Sequence, residues 1–234
     1  MSLTLPVTLL PLPSPCHVPV SNCAVSDTAC QVFDTAFEDH KKLKTLLKEY
    51  QIPVCFQADL FNYISDDERP PNKWIVMGPP RAGTGVSVDP LGTCSWHTLL
   101  SGKRRWILAP ASTPSHLMKP KQKLLLPDYV GGAAQWFAQV YPSLSESPDA
   151  TGVIELTQHA GETLFVPAGW QQVVMNLEFS IAITHNFASE QNLPRIVVLV
   201  NDRREDMIEE WLEGLEEHQP ELQQQVELLL SQLN

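Results

Sequence analysis

Short apolar runs of strand length recur along this sequence, and glycine or proline turns separate them. The runs span residues 74–77, 85–89, 106–109, 153–156, 163–166, 173–177 and 179–184, and turn signals occur at 78–80, 90–92, 159–161 and 167–169. In the second run Val86 and Val88 alternate with Ser87 and Asp89, so each pair faces one side of a strand. This pattern predicts a mainly β fold with flanking α-helices, namely a double-stranded β-helix of the jelly-roll or cupin type.

Helical spacing of apolar residues appears on both sides of the strand-rich region. A short helix is predicted between Phe33 and Tyr50, and residues 110–150 are predicted to be an insertion between the barrel halves. A C-terminal helical pair is predicted from two apolar stripes, which are Met207, Ile208, Trp211, Leu212 and Leu215, and then Leu222, Val226, Leu229, Leu230 and Leu233. These stripes either pack on the barrel or form a homodimer contact.

Composition limits the classes of partner. A net charge of −11 argues against direct nucleic-acid binding and favours basic partners or simple solubility. No run of about 18 apolar residues occurs, so no membrane span is expected. Residues 1–30 are interpreted as a disordered lead, because their apolar, proline-rich start lacks the basic segment of a signal peptide. Five cysteines without a CxxC pair indicate reduced thiols in an intracellular protein.

Contiguous motifs between residues 30 and 222 carry a resemblance to a known family. They are VFD 32–34, LLKEY 46–50, ADLF 58–61, WIVMGPPR 74–81, DPLGT 89–93, GET 161–163, FVP 165–167, IAIT 181–184, NFAS 186–189 and HQPEL 218–222. The chain resembles the JmjC (Jumonji C) oxygenases, and among them the bifunctional arginine demethylases and lysyl hydroxylases. The resemblance implies a JmjC-type domain over 31–190, followed by C-terminal helices over 191–234.

The resemblance also implies where a metal would bind. Fe(II) in such oxygenases is held by His-x-Asp on one strand and by a second, distant His. The corresponding positions here are Ser87, Asp89 and Gln172, so one carboxylate remains and both imidazoles are replaced. A hydroxyl and an amide are weak Fe(II) ligands, and the set is closer to a loose Mg²⁺ or water site. We therefore expect a degenerate iron site; recruitment of His97 beside Asp89 is a further hypothesis.

The co-substrate residues implied by the resemblance are partly altered. Arg104 stands where the family has the lysine that anchors the distal carboxylate of 2-oxoglutarate, and His97 replaces an asparagine that lines the site. Thr84, Thr184 and Asn186 are kept. Two interpretations stay open for these three residues: polar groups that satisfy one another or a buried water, or a vestigial co-substrate pocket.

Other candidate motifs carry less weight. Lys103 and His185 should face away from their cavity-lining neighbours by strand alternation, and His159 is expected to be exposed. Gly83-Thr-Gly85 lacks the Gly-Lys-Ser/Thr ending of a phosphate loop, and no local signature supports a Ser-His-Asp arrangement.

Three functional hypotheses follow. The leading one is a non-catalytic JmjC protein without a cofactor, which binds Arg/Lys-rich segments of splicing or chromatin proteins in the nucleus or cytoplasm. The second is a working Fe(II)/2-oxoglutarate-dependent oxygenase that hydroxylates lysyl or demethylates methyl-arginyl side chains. The third is a truncated product without a stable fold, because the family's upstream strands and basic, serine-rich tail have no counterpart in this sequence.

Overall fold

Nine β-strands form two antiparallel sheets in the computed structural model, which describes residues 31–35, 37, 52–65, 67–119, 132–147 and 152–233. The strands are β1 (Val32–Asp34), β2 (Lys73–Gly78), β3 (Gly83–Val88), β4 (Cys94–Ser101), β5 (Lys103–Ala109), β6 (Ile154–His159), β7 (Thr163–Val166), β8 (Gln171–Asn176) and β9 (Ser180–Phe187). One sheet has the order β1-β2-β9-β4-β7 and the other the order β3-β8-β5-β6. The predicted two-sheet, jelly-roll architecture is confirmed.

Two strands differ from the sequence-based expectation. Phe33, predicted to begin a helix, lies in β1 and pairs with Val76. Most of that predicted helix, residues 36 and 38–50, lies outside the described residues. Strand β4 was not predicted at all, although it pairs with both β7 and β9. Its residues from Cys94 to Leu99 are all buried, so no alternation of buried and exposed positions marked it as a strand.

In the described part of the chain, five α-helices flank the sheets. Helices α1 (Ala133–Gln139) and α2 (Tyr141–Ser145) lie in the segment predicted to be an insertion. Helices α3 (Leu193–Arg203), α4 (Ile208–His218) and α5 (Pro220–Ser231) follow β9. The predicted C-terminal pair corresponds to α4 and α5, and α3 precedes it as a third helix. No helix in the described part of the chain is long and apolar enough to cross a membrane.

The apolar stripes of α4 and α5 pack within the same chain. Nine of the ten stripe residues belong to, or pack against, one core cluster that also contains α3 and the 3₁₀ helix Leu60–Tyr63, whereas Leu233 is exposed. Trp211 is fully buried there, and its indole N–H donates to the Leu60 carbonyl at 3.0 Å. The stripes therefore pack within the chain, but on α3 and the 3₁₀ helix beside the sheets rather than on the barrel strands as predicted; the homodimer contact stays a prediction.

His185 is a buried core residue, whereas strand alternation predicted only that it faces away from Thr184 and Asn186. It is 3% exposed and stacks on Trp96, with ring centroids 4.3 Å apart. Burial, with the nearby charges of Lys73 and Arg69, lowers its pKa from 6.5 to about 3.

Substitution of Gly214 by alanine tests the packing of α4. A Cβ atom at Gly214 would lie 1.9 Å from the Tyr63 carbonyl oxygen, so the helix would have to move away from the 3₁₀ helix. We expect Gly214→Ala to lower the free energy of unfolding by about 1–3 kcal/mol, although alanine is the better helix former. The measurement is urea unfolding followed by circular dichroism.

Glu213→Ala, at an exposed position of the same helix, is the matched control and should leave stability nearly unchanged. Equal stability of the two variants would contradict the packing of α4 on Tyr63. Absence of a cooperative transition in the wild type would instead support the hypothesis of an unstable fold.

A pH dependence of stability follows from the buried, neutral His185. The unfolded imidazole takes up a proton below about pH 6.5, and the folded one does so only near pH 3. The unfolding free energy should therefore be at its full value above pH 6.5 and fall at lower pH, by up to about 1.4 kcal/mol per pH unit for this proton. Urea unfolding between pH 7.5 and 4.5 measures this free energy. In His185→Phe the free energy of unfolding should fall less steeply with decreasing pH. Identical slopes would show that His185 does not contribute.

Candidate functional site

A cavity of about 280 Å³ lies between the two sheets, and we call it the inter-sheet cavity. All eight residues that the resemblance assigns to the metal and co-substrate positions line it: Thr84, Ser87, Asp89, His97, Arg104, Gln172, Thr184 and Asn186. Tryptophans 74 and 106 also line it, and Phe33 on β1 lies at its edge with 55% of its surface exposed. The fold therefore brings together side chains that are up to about a hundred positions apart in sequence.

Strand pairing brings the three implied metal positions together. Ser87 on β3 is the register partner of Gln172 on β8. Asp89 follows β3, at the start of a tight turn in which Leu91 and Gly92 both have positive φ. The Gln172 amide Nε2 donates to Asp89 Oδ1 at 3.0 Å, so the two side chains are in direct contact. The Oε1 atom of Gln172 is buried and has no hydrogen-bond partner among the described residues.

Asp89 is a partly buried carboxylate held by neutral donors. The Ser95 hydroxyl donates to its Oδ2 at 2.6 Å, in addition to the bond from Gln172 to Oδ1. Burial raises the pKa of Asp89, while hydrogen bonds from Ser95, Asn186 and Gln172 oppose that rise. No group of three His, Cys, Asp or Glu side chains that could hold a metal occurs among the described residues.

His97 lies at the centre of a chain of hydrogen bonds. Its Nε2 is 3.0 Å from Ser95 Oγ, and its Nδ1 is 2.9 Å from Thr184 Oγ1. Because the Ser95 hydroxyl donates its proton to Asp89 Oδ2, Nε2 of the neutral His97 donates to Ser95 Oγ and Nδ1 accepts from Thr184 Oγ1. Burial and the charge of Arg104 lower the pKa of His97 to about 3, so the imidazole is neutral. The Ser95 hydroxyl thus bridges His97 and Asp89, the pair considered for a recruited metal site.

Arg104 places a positive charge at the cavity wall. It is 1% exposed, and its Nε donates to Asn176 Oδ1 at 3.0 Å. Its Nη2 is 3.4 Å from the Val76 carbonyl oxygen. Burial lowers its pKa to about 10, so the guanidinium stays charged at neutral pH. Among the described residues no carboxylate forms an ion pair with it.

The three polar residues that match the family pattern, Thr84, Thr184 and Asn186, find some of their hydrogen-bond partners within the protein. Thr184 bonds His97, and Asn186 Nδ2 donates to Thr93 Oγ1 at 3.1 Å. Thr84 lines the cavity next to a register shift between Thr84 and Ser87. These contacts match the structural interpretation of Thr184 and Asn186, and all three side chains also line a cavity, as the pocket interpretation requires.

The remaining candidates lie away from the cavity. Lys103 is on the outer face of β5 beside Glu178, and His159 is exposed, as predicted, although it ends β6 rather than lying in a turn. Two residues that hold the site were missed: Ser95 and Asn176. Ser95 lies two residues before His97 and faces the same side, so recognition of β4 as a strand would have found it. No local signal pointed to Asn176.

Comparison with known proteins agrees with this arrangement. The family model described as "JmjC domain, hydroxylase" matches residues 74–187. The bifunctional arginine demethylase and lysyl-hydroxylase psr-1 of Caenorhabditis elegans is 40% identical over 200 residues, which are 84% of this chain and 49% of the relative. The arginine-specific demethylase JMJ22 of Arabidopsis thaliana is 34% identical over 182 residues, which are 76% of this chain and 34% of the relative.

A third relative is named for its cofactors. The 2-oxoglutarate and iron-dependent oxygenase JMJD4 of Danio rerio is 29% identical over 177 residues, which are 71% of this chain and 39% of the relative. The chain spans about half the length of the psr-1 proteins that it matches, and less of the others. Residues 74–187 are a JmjC domain, and the chain belongs to the JmjC family, which includes demethylase and hydroxylase relatives.

Proposed function

We propose that this chain is a non-catalytic JmjC protein whose iron site is degenerate and which acts by binding a protein partner. The partner class is an Arg/Lys-rich segment of a splicing or chromatin protein, met in the nucleus or cytoplasm. In this proposal neither Fe(II) nor chelated 2-oxoglutarate is required, and Asp89 is the remaining member of a former ligand set.

The hydrogen bond from Gln172 to Asp89 is the observation that carries the proposal. Non-haem Fe(II) oxygenases hold iron with two imidazoles and one carboxylate. The side chains that converge here are one carboxylate, one hydroxyl and one amide. The amide presents its N–H to the carboxylate at 3.0 Å, and neither this amide nor the Ser87 hydroxyl supplies the imidazole nitrogen that Fe(II) is given in such sites. The donor set therefore does not fit Fe(II), and we derive no reaction step through iron.

Charge supports the partner class. The chain carries a net charge of −11, and three exposed carboxylates of α4 lie at helical spacing: Glu209, Glu213 and Glu216. We call them the α4 acidic face. A row of like charges attracts a basic segment mainly through long-range electrostatics, so the interaction should weaken with salt.

The alternative is an active Fe(II)/2-oxoglutarate-dependent oxygenase. It is favoured by the names of relatives such as JMJD4 and by the retained cavity, where Arg104 and Thr184 could meet a carboxylate. It needs a metal bound without imidazole ligands from the implied positions.

Metal titration separates the two candidates. We expect metal-free wild-type protein to show no saturable binding of Mn²⁺, a redox-silent substitute for Fe²⁺, with or without 2-oxoglutarate. The double variant Ser87→His with Gln172→His should bind Mn²⁺, because it supplies two imidazoles beside Asp89. Calorimetry, together with electron paramagnetic resonance of the unbound Mn²⁺, measures binding by the wild type and by the double variant.

Addition of Asp89→Asn to the double variant is the matched control and should abolish the restored binding. Micromolar Mn²⁺ binding by the wild type, strengthened by 2-oxoglutarate, would contradict the proposal and favour the oxygenase. In that case peptide hydroxylation assays would be the next measurement.

Charge reversal tests the partner class. A fluorescent Arg/Ser-rich peptide should bind the wild type in low salt, and the variant Glu209→Lys with Glu213→Lys should bind it about tenfold more weakly. Reversal of Glu146, an exposed carboxylate outside α4, is the control and should have a smaller effect. Equal binding by both variants would remove the α4 acidic face from the proposal. Fluorescence anisotropy at several salt concentrations gives the result.

A further inference from the structure

The inter-sheet cavity contains two opposite charges that lack ionic partners among the described residues. Arg104 is 1% exposed, and the two groups that accept hydrogen bonds from it among the described residues, Asn176 Oδ1 and the Val76 carbonyl, are both neutral. Asp89 receives hydrogen bonds from Ser95 and Gln172, which are also neutral. A buried charge without an opposite charge is unfavourable, so each group favours a ligand of the other sign.

Unpaired acceptor atoms add to the negative character of the cavity wall. Gln172 is 6% exposed, and its Oε1 is buried without a donor. Gln31 Oε1 is likewise buried without a donor, and Gln31 lines the same cavity. Gln172 contacts Asp89 directly, so an ammonium group bound at that carboxylate would lie beside the Gln172 amide and could donate to its Oε1 after rotation of the side chain.

Arg104 offers the opposite chemistry. A guanidinium has five N–H donors, and the structure assigns neutral acceptors to its Nε and Nη2 atoms alone. Thr184 and Thr84 line the same cavity. His97 beside Arg104 is neutral, so among the described lining residues Arg104 is the cation that attracts a carboxylate. A carboxylate at Arg104 would form charge-assisted hydrogen bonds, which are the strong ones.

From these contacts we infer that the inter-sheet cavity binds a small zwitterion of the amino-acid type without a metal, with its carboxylate at Arg104 and its ammonium at Asp89. The inference rests on the proposed absence of iron, because a metal at Asp89 would take the place of the ammonium. It also sets a preference: a dicarboxylate of similar length would bring its second negative charge to Asp89 and bind more weakly. The volume of about 280 Å³ suits a ligand of a few carbon atoms.

Calorimetric titration of metal-free wild-type protein tests the inference. The probes are the ω-amino acids β-alanine, 4-aminobutyrate and 5-aminovalerate, with succinate and glutarate as length-matched diacids. We expect saturable binding of at least one ω-amino acid and about tenfold weaker binding of its diacid. Failure of every ω-amino acid to bind, or equal binding of the matched diacid, would overturn the inference.

Two variants locate the charges. Asp89→Asn should weaken binding of the ω-amino acid about tenfold, and it should bring binding of the diacid closer to that of the ω-amino acid because the repelling carboxylate is removed. Arg104→Met should weaken binding of both ligands. Arg105→Met is the matched control, because Arg105 lies on the outer face of β5 in an ion pair with Glu155, and it should leave binding unchanged. Circular dichroism verifies that each variant is folded. If Arg104→Met does not fold, unchanged ligand preference in a folded Asp89→Asn would still overturn the inference.

Failure of the inference and failure of the proposed function give different results. Absence of zwitterion binding together with absence of Mn²⁺ binding removes the inference and leaves the proposed function in place. Binding of Mn²⁺ with 2-oxoglutarate by the wild type contradicts both.

Discussion

The Asp89 carboxylate is the constraint on which the arrangement of the cavity depends. It lies just after β3, it accepts from Gln172 on β8 and from Ser95 on β4, and these strands belong to two different sheets. A carboxylate removed from water needs such donors, since an unsatisfied buried charge is far more unfavourable than an unsatisfied neutral group. The two sheets are therefore joined on one side of the cavity by hydrogen bonds to a single residue.

Arg104 joins the sheets in a similar way at another part of the cavity wall. Its guanidinium extends from β5 to the Val76 carbonyl on β2, while Asn176 on β8 accepts from its Nε. His97 is linked to both charged groups: it contacts Asp89 through Ser95, and its pKa is lowered by burial and also by the charge of Arg104. Because the imidazole of His97 is neutral, it does not cancel the charge of Asp89 or of Arg104. Both charges therefore remain available to a ligand that carries an ammonium group and a carboxylate.

Strand alternation and local motifs predicted much of this frame, because both depend on neighbouring residues. Alternation placed Ser87 and Asp89 on one face, and the family resemblance placed Gln172 beside them, which the strand register confirms. Strand β4 was missed because both of its faces are buried and polar residues such as Ser95 and His97 interrupt its apolar pattern. Asn176 could not be found from sequence, since its bond to Arg104 joins positions 72 residues apart.

In the proposed function Ser87 and Gln172 occupy the positions of two imidazoles, and this has a consequence for folding as well as for ligand binding. A metal site that lacks its ion leaves a buried carboxylate to be stabilised by other means, and metal binding is often coupled to folding for that reason. Here the Gln172 amide N–H supplies a donor to Asp89, so the two sheets can close without an ion. One acceptor remains unsatisfied, because Gln172 Oε1 has no donor among the described residues. A buried group of this kind lowers the free energy of unfolding by about 1–3 kcal/mol. Under the proposed function and the zwitterion inference, a ligand that donates to this oxygen would recover part of that free energy, so Gln172 favours an ammonium group beside Asp89.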